Sequence, residues 1–279
     1  MRISTTALVP ALVLALVAAS CGGAATASPS PTTAATAAAT AKPAATASPT
    51  ASPARVANVA AVGQTSTKLA EGSLAALPSA TLYVNVLSVP QPPASPITHL
   101  HIAGFVYATV GTHQLAIQGG ETKDIKPGEA GFIGSDVAHT HANQGTGPIE
   151  WYFLALRPIA GRTAAPLFPG QTVLFETADL PQLAPGKYLE QLNLVTLEKG
   201  GRTAAHKHGG LEAVVVLEGT VQVRMAGAQP VTLTKGKGAY VPVNTPLQAI
   251  NTGDGAAKFL AFFVTLDGQP FSTNVETAP

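Results

Sequence analysis

The stretch 206-HKHGGLEAVVVLEGTV-221 decides how this chain is interpreted. Two histidines stand one residue apart, a glutamate follows them, and a valine-rich run ends at a glycine. Runs of this kind, bounded by glycines, are typical of β-strands. Successive side chains of a strand alternate between its two faces, so His206 and His208 project to the same side. The stretch predicts either a metal site on a strand or an ordinary strand that carries histidines.

Glu212 has the same strand parity, but parity alone does not bring it to the histidines. Four residues of straight strand separate Cα atoms by ~13 Å, which one imidazole and one carboxylate cannot span to a shared ion. We therefore expect the chain to bend at Gly209 and Gly210, because glycine tolerates backbone conformations that other residues avoid. Two imidazoles and a carboxylate that converge in this way suit Mn, Fe, Ni, Cu or Zn.

The same landmarks occur twice along the chain. His99 and His101 precede His206 and His208 by 107 residues. Three further pairs lie 108 residues apart: Gly111 and Gly219, Gly128 and Gly236, and Asn143 and Asn251. The step in the offset indicates that one residue is missing from the first copy between His101 and Gly111. The period is far too long for a solenoid and predicts a domain duplication.

Both copies are predicted to be β-structure. Segments such as 213-AVVVLEGTVQVRM-225 and 257-AKFLAFFVTL-266 are rich in Val, Thr and Phe, and Gly and Pro interrupt the sequence at short intervals. No amphipathic helical period of useful length occurs. Many short strands with turn signals predict a sandwich or barrel, and about 105 residues per copy are enough for one core each.

Two spaced motifs carry a resemblance to the cupin superfamily. The first cupin motif, G-x5-H-x-H-x3-E-x6-G, is matched in the second copy by Gly200, His206, His208, Glu212 and Gly219. The second motif, G-x5-P-x-G-x2-H-x3-N, is matched in part by Gly236, Pro242 and Asn251, and in the first copy by Gly128, His139 and Asn143. The part of the chain from about residue 70 onward therefore resembles a bicupin.

This resemblance implies an all-β fold of two tandem jelly-roll β-barrels, with cupin domain 1 at residues 61–165 and cupin domain 2 at residues 166–279. In the family, the two histidines and the glutamate of the first motif join the histidine of the second motif in binding a divalent metal. Cupins include dioxygenases, isomerases, decarboxylases, storage proteins and ligand-binding domains. The resemblance therefore implies a fold and a metal, and no particular chemistry.

The first copy lacks one member of the family's ligand set. It keeps His99, His101 and His139, while the missing residue leaves Gly104 or Phe105 at the place of the glutamate. His141 is close enough in sequence to serve as a fourth ligand or as a partner of the ligands. The resemblance thus implies a three-histidine centre here, with His141 in either role.

The second copy lacks a different member. It keeps His206, His208 and Glu212, but Leu247 replaces the last histidine and Asn244 replaces the glycine of the second motif. Two histidines and one carboxylate with open positions are associated with non-haem iron. Six of the seven histidines, all but His113, lie at or beside ligand positions, which favours metal in at least one barrel. The sequence does not decide which.

The N-terminus predicts export and lipidation. Arg2 precedes an apolar run from Ala7 to Ala19, which is shorter than the ~20 residues that a membrane-spanning helix needs. The residues 18-AASC-21 resemble a bacterial lipobox, and Cys21 is the only cysteine. We interpret residues 1–20 as a lipoprotein signal peptide and Cys21 as the lipidated residue; a buried helix or a simple secretion signal are the alternatives.

Residues 21–60 are rich in Ala, Thr, Ser and Pro and predict a disordered N-terminal linker, since nothing in this segment could form a core. With 16 basic and 15 acidic residues, the chain has no charge pattern for nucleic acid or an anionic membrane surface. We expect an exported protein of the cell envelope that meets the membrane only through its lipid anchor.

These observations leave two hypotheses from different classes. The first is a lipid-anchored bicupin that binds a divalent metal and a small anionic or oxygen-rich ligand, within which a metal-dependent oxidoreductase-type enzyme is one option. The second is a metal-free, non-catalytic ligand-binding or scaffold bicupin at the cell surface. Hydrolase, nucleotide-binding and thiol-redox motifs do not occur. The sequence leaves open whether the protein is an enzyme and whether it forms a homo-oligomer.

Overall fold

The computed structural model describes residues 59–279. The predicted signal peptide, Cys21 and nearly all of the predicted linker lie outside the described residues. Within residues 59–279 the chain is β-structure apart from turns and one short 3-10 segment, Ile159–Arg162. In this part of the chain, no helix has the length and apolar character needed to cross a membrane.

The strands alternate with short turns along the whole described chain. The first ten are β1 (Val62–Leu74), β2 (Leu82–Gln91), β3 (Ile97–His99), β4 (Gly104–Val110), β5 (His113–Ile117), β6 (Thr122–Ile125), β7 (Ala130–Ile133), β8 (His139–Ala142), β9 (Ile149–Pro158) and β10 (Thr172–Glu176). The others are β11 (Tyr188–Arg202), β12 (His206–Lys207), β13 (Leu211–Glu218), β14 (Thr220–Met225), β15 (Val231–Thr234), β16 (Gly238–Val241), β17 (Leu247–Asn251), β18 (Ala257–Leu266) and β19 (Thr273–Asn274).

These strands form two antiparallel β-barrels. The first barrel combines a sheet of order β10-β2-β9-β4-β7 with a sheet of order β3-β8-β5-β6. The second is a single sheet of order β15-β14-β17-β11-β18-β13-β16, which β1, β12 and β19 join at its sides. The predicted all-β fold of two tandem jelly-roll barrels is confirmed.

The pairing of the strands repeats between the barrels with the period seen in the sequence. Val106 of β4 pairs with Phe153 of β9, and Val214 of β13 pairs with Ala261 of β18, each residue 108 positions after its counterpart. The pairs β5–β8 and β14–β17 correspond in the same way. This shared register identifies equivalent positions in the two barrels, which the comparison of their sites requires.

The barrels also exchange strands. β1, at the start of the described chain, pairs with β11 of the second barrel, with Thr65 opposite Thr196. β10 follows the first barrel's last strand and pairs back onto β2, with Thr172 opposite Ser88. Each barrel therefore includes a strand whose neighbour in sequence belongs to the other barrel, and the described residues form one compact unit.

The hydrophobic residues form three clusters. One fills the interior of each barrel, and the third lies between the outer faces of β2, β4 and β9 and those of β11, β13 and β18. We name this third cluster the inter-barrel core; it includes Leu82, Val84, Val86, Phe105, Leu154, Leu192, Leu211, Ala213, Leu260, Phe262 and Val264. Burial of one such Val, Leu or Phe side chain contributes roughly 1.5–3 kcal/mol, so the two barrels stabilise each other.

Candidate metal centres

Four histidines converge inside the first barrel. His139 and His141 lie on β8, where His139 pairs with His99 of β3, and His101 follows β3 in the turn before β4. One nitrogen of each ring lies within 4.8 Å of one nitrogen of every other. His99 is half-buried and the other three are buried. The structure thus brings together all four histidines that the sequence singled out in this copy.

Hydrogen bonds to the backbone fix the protonation of two of these rings. Nδ1 of His139 lies 2.6 Å from the carbonyl oxygen of Val137, and Nδ1 of His101 lies 2.5 Å from that of Ile102. A carbonyl oxygen only accepts, so Nδ1 carries the hydrogen and Nε2 of a neutral ring is a bare lone pair. The two Nε2 atoms face each other at 3.1 Å. Such lone pairs repel unless a cation or a proton lies between them.

Burial keeps the imidazoles of this cluster neutral. Burial is the main cause that lowers the pKa of His99 to about 4 and that of His101 to about 3, and the neighbouring His139 contributes to both shifts. Burial also lowers the pKa of His139 and of His141. Neutral imidazole is the form that binds a metal ion, so the cluster is ready to bind metal at neutral pH.

His113, the one histidine that the sequence analysis set apart, belongs to the same cluster. It begins β5, is completely buried, and its Nε2 lies 3.1 Å from Nδ1 of His141. Burial lowers its pKa to about 3, and its Nδ1 has no hydrogen-bond partner among the described residues. Only the pairing of β5 with β8 brings His113 to His141, and that pairing carries no local sequence signal.

The position of the lost glutamate is settled by strand register. Gly104 pairs with Ile133, as Glu212 pairs with Val241, so Gly104 is the equivalent of the carboxylate. A Cβ at Gly104 would lie 2.6 Å from Cζ of Phe153 and 2.7 Å from the carbonyl oxygen of Leu154. No side chain fits there while the ring of Phe153 stays in place.

The stretch 206-HKHGGLE-212 forms the second cluster. β12 ends at Lys207, the chain bends at Gly209 and Gly210, and β13 begins at Leu211. This bend brings His206, His208 and Glu212 together: the two Nε2 atoms are 2.9 Å apart, and Oε2 of Glu212 lies 3.5 Å from Nε2 of His208. A Cβ at Gly210 would lie 2.3 Å from the carbonyl oxygen of Val264, so the bend requires glycine at that position.

The second cluster also presents bare lone pairs. Nδ1 of His206 donates to the carbonyl oxygen of Ala204 at 2.7 Å, and Nδ1 of His208 donates to that of Phe271 at 2.6 Å. Oε2 of Glu212 is buried without a hydrogen-bond partner among the described residues. Burial raises the pKa of Glu212 to about 8 and lowers that of His208 to about 4. A bound cation would satisfy both unpaired nitrogens and the unpaired oxygen, so the residues fit a metal ion.

In both copies, the residue that stands in place of the second motif's glycine makes a turn beside the histidine ligands. Asp136 and Asn244 occupy equivalent positions and have φ of 57° and 59°. Asn and Asp tolerate this left-handed conformation better than other non-glycine residues. The N–H of Asp136 donates to the carbonyl oxygen of His101, and that of Asn244 to the carbonyl oxygen of His208, both at 2.8 Å. The departure from the motif therefore preserves the turn.

A cavity of about 190 Å³ opens beside the second cluster. His206, His208 and Glu212 form part of its wall, which also carries polar groups from Asn193 on β11 and from the exchanged strand β1. Its full polar lining comprises Gln64, Ser66, Asn193, Thr203, His206, His208, Glu212, Ser272 and Asn274. Leu247 and Ala249, which replace His139 and His141, complete the wall where the first barrel has imidazoles.

Comparison with known proteins finds one family domain, which lies in the second barrel. Residues 193–263 match the family model described as the cupin domain. No curated protein matches the chain. The structure of Lactobacillus farciminis oxalate decarboxylase in a formate complex is 13% identical, with 68% of this chain and 80% of that chain covered and a TM-score of 0.50.

Two further solved structures show similar coverage. A mutant of salicylate 1,2-dioxygenase from Pseudoaminobacter salicylatoxidans is 16% identical over 68% of this chain and 77% of that chain, with a TM-score of 0.45. Bacillus subtilis oxalate decarboxylase, studied for its Mn(II) centres, is 15% identical over 68% and 71%, with a TM-score of 0.48. Residues 193–263 are thus similar to a cupin domain, and the fold of the described chain is similar to that of the Lactobacillus farciminis enzyme.

Proposed function

We propose that this protein is an exported, lipid-anchored bicupin that binds divalent metal ions in its barrels and a small-molecule ligand in the second barrel. The observation that carries the proposal is the pairing of Nε2 lone pairs at 2.9 Å in the second barrel and at 3.1 Å in the first. In both barrels, hydrogen bonds from Nδ1 to backbone carbonyl oxygens direct those lone pairs inward.

The spacing of the nitrogens supports metal binding. Two nitrogens that bind the same ion, each at about 2.1 Å, lie roughly 3 to 3.4 Å from each other, which is close to the distances found here. Hydrogen bonds from the other ring nitrogen to a carbonyl oxygen are the usual way in which metal-binding histidines are oriented. Imidazole with or without a carboxylate suits Mn, Fe, Ni, Cu and Zn, and we propose one of these ions.

The lining of the cavity in the second barrel limits the charge of its ligand. Among its described lining residues there is no Lys or Arg. A divalent ion and the carboxylate of Glu212 together leave one net positive charge. We therefore propose a neutral or singly negative ligand that carries oxygen atoms. Formate, bound by the Lactobacillus farciminis oxalate decarboxylase named above, belongs to this class.

The residues around the cavity have separate roles in this proposal. The amide of Asn193 and the side chains of Gln64 and Ser66 would orient the ligand through hydrogen bonds. The rings of Phe263 and Phe271, 4.7 Å apart, would form the apolar part of the wall against which the ligand packs. A bound divalent ion would act as a Lewis acid toward an oxygen of the ligand.

Metal content tests the first part of the proposal. The full-length protein, purified without chelators or a histidine tag, is expected to contain metal, and a His99→Ala, His206→Ala double variant is expected to lose it. Each single variant serves as the control, since each disables only one barrel. A metal-free wild-type protein whose thermal stability is unchanged by added Mn²⁺, Fe²⁺, Zn²⁺ or Ni²⁺ would instead support a metal-free binding or scaffold module.

Ligand charge tests the second part. Calorimetric titration of the metal-loaded protein is expected to show binding of formate and weaker or no binding of the dianion oxalate. Asn193→Leu introduces the side chain of Leu87, which pairs with Phe153 in the first barrel as Asn193 pairs with Ala261 in the second. This variant is expected to weaken formate binding while metal content stays at the wild-type level. Tighter binding of oxalate than of formate would contradict the proposed ligand class.

Export and anchoring are supported by residues 1–21 of the sequence. If Cys21 is lipidated, the wild-type protein partitions with membranes and Cys21→Ser moves it to the aqueous fraction. Ser20→Ala, which leaves the cysteine in place, is the matched control. Unchanged membrane partitioning of Cys21→Ser would exclude lipidation as the means of attachment. We propose no contact with nucleic acid.

A further inference from the structure

We infer that the first barrel holds its metal ion in a sealed, all-histidine site, so that exogenous ligands reach only the ion of the second barrel. This inference rests on the metal binding proposed above and assigns different roles to the two centres. It follows from comparing equivalent positions of the two barrels, which the shared strand register identifies.

Phe153 occupies the place of the missing carboxylate. It is equivalent to Ala261, because the two residues pair with Val106 and Val214. Its ring is completely buried, and its centroid lies 4.6 Å from that of His101. The same ring closes the space above Gly104. The first barrel therefore has glycine and phenylalanine where the second has Glu212 and Ala261, and the exchange fills the site.

A second replacement removes the polar wall of the cavity. Leu87 pairs with Phe153 in the first barrel, and Asn193 pairs with Ala261 in the second. Leu87 is buried in the interior cluster of the first barrel, whereas Asn193 faces the cavity. The pair Leu87 and Phe153 thus occupies the volume that Asn193 and Ala261 leave open.

Phe168 packs against the four-histidine cluster beside His99 and His141. Its ring centroid lies 5.2 Å from that of His99 and 5.4 Å from that of His141, and it packs against Trp151 at 4.8 Å. The side chain is 1% exposed. In the second barrel, Phe271 lies against His208 from the chain segment after β18, but it is partly exposed and borders the open cavity.

The nitrogen set of the first barrel is complete without an outside ligand. His139 and His141 stand at the positions of Leu247 and Ala249, so the first barrel offers four imidazoles and the second offers two imidazoles and a carboxylate. Sites that are closed by protein ligands stabilise structure, whereas catalytic sites keep a position for water or substrate. The first ion would hold β3 and β8 together, and the second would meet the ligand.

Cobalt as a spectroscopic probe and azide as a small exogenous ligand test this inference. The full-length metal-free protein is loaded with Co²⁺, and the visible absorption spectrum is followed while azide is added. We expect two ions per chain, of which one responds. The variant His206→Ala, His208→Ala, confined to the second barrel, is expected to bind one ion, to gain thermal stability from it, and to show no azide response.

The reverse variant and an opened site complete the test. His101→Ala, His139→Ala is expected to keep one ion with a wild-type azide response. Phe168→Ala in the His206→Ala, His208→Ala background is expected to make the remaining ion responsive. An azide response of the first barrel with Phe168 intact would overturn the inference while leaving metal binding established.

If neither barrel binds Co²⁺, both the inference and the proposed function are overturned. If Phe168→Ala does not fold, the number of ions that respond to azide in the wild-type protein still tests the inference. Two responsive ions would contradict a sealed first site. One responsive ion would support it, provided that the His101→Ala, His139→Ala variant keeps the response.

Discussion

Gly72 on β1 lies directly beneath the aromatic ring of Phe132 on β7. A Cβ at Gly72 would be 2.1 Å from Cε1 of that ring. β1 is hydrogen-bonded to the second barrel and β7 belongs to the first, so this contact joins the barrels where strands are exchanged. The reciprocal strand shows the same relationship, because Cγ of Phe175 on β10 would be 2.6 Å from a Cβ at Gly238 on β16.

The first prediction follows from that contact. Gly72→Ala forces the ring of Phe132 out of its position, and such overpacking costs about 1–3 kcal/mol of unfolding free energy. Denaturant and thermal unfolding of the full-length protein should show this loss. Gly147→Ala is the matched control, because nothing lies within 4 Å of a Cβ added at Gly147. Equal stability of the two variants would mean that β1 does not pack closely on β7.

The second prediction concerns the turn that positions His208. Asn244 has φ of 59°, and its N–H donates to the carbonyl oxygen of His208. Asn244→Ala is expected to cost about 1–2 kcal/mol, since a left-handed backbone is unfavourable for a residue whose side chain cannot hydrogen-bond locally. Asn244→Gly restores the residue type of the motif and is expected to match the wild type in stability and in metal affinity of the second barrel.

Metal titration of these variants provides the decisive comparison. Asn244→Ala should weaken metal binding in the second barrel and leave the first unchanged, because the equivalent turn there is made by Asp136. Asp136→Ala should show the opposite pattern. If both variants bind both ions as tightly as the wild type, the turns do not position the ligands.

The motifs predicted the correct fold because they reflect local requirements of the chain, namely the alternation of side chains along a strand and the need for glycine at a sharp bend. Strand parity placed His206 and His208 on one face, and the requirement for a bend identified Gly209 and Gly210. The four glycines that recur in the two copies all have positive φ, from 68° at Gly111 to 90° at Gly128.

What the sequence did not reveal depends on contacts between distant strands. The choice between Gly104 and Phe105 was left open, since only the pairing with β7 fixes which residue faces the cluster. His113 was set apart for the same reason. The exchange of β1 and β10 crosses the predicted boundary at residues 165 and 166, and neither strand carries a signal for its partner. That boundary itself stays a prediction.

The third prediction is that the two centres differ in the pH dependence of metal uptake. Without metal, the pKa of Glu212 is raised to about 8, so its carboxyl is protonated at pH 7 and must release a proton when an ion binds. The affinity of the second barrel should therefore rise as the pH increases towards 8. In the first barrel, the pKa of His99 is about 4 and that of His101 about 3, so both are neutral above pH 5 and their affinity should be nearly constant.

Calorimetry in buffers of different ionisation enthalpy measures the protons released. With His101→Ala, His139→Ala to isolate the second barrel, we expect about one proton per ion at pH 7. With His206→Ala, His208→Ala to isolate the first, we expect close to none. Equal proton release from the two centres would show that Glu212 is ionised before the metal arrives.

The last prediction concerns Glu190, which pairs with Gly72 of β1 and Val264 of β18. It is completely buried beside the inter-barrel core, and neither carboxylate oxygen has a hydrogen-bond partner among the described residues. Burial raises its pKa to about 8. A carboxylate in such surroundings destabilises the folded state, and its replacement by an apolar side chain of similar volume is often stabilising.

The sign of the pH dependence follows from that pKa. Between the pKa of an unfolded glutamate, about 4.3, and the folded value, the folded chain holds a proton that the unfolded chain has lost. The contribution of Glu190 to the free energy of unfolding is therefore fully present below pH 4. It is lost as the pH rises to 8, by up to about 1.4 kcal/mol per pH unit. Glu190→Leu should be more stable than the wild type, and its advantage should grow from pH 5 to pH 8. Glu71→Gln on β1, an exposed position paired with Lys68, is the control and should add little at any pH. An advantage that is the same at pH 5 and pH 8 would mean that Glu190 is not a protonated, unpaired group in the folded protein.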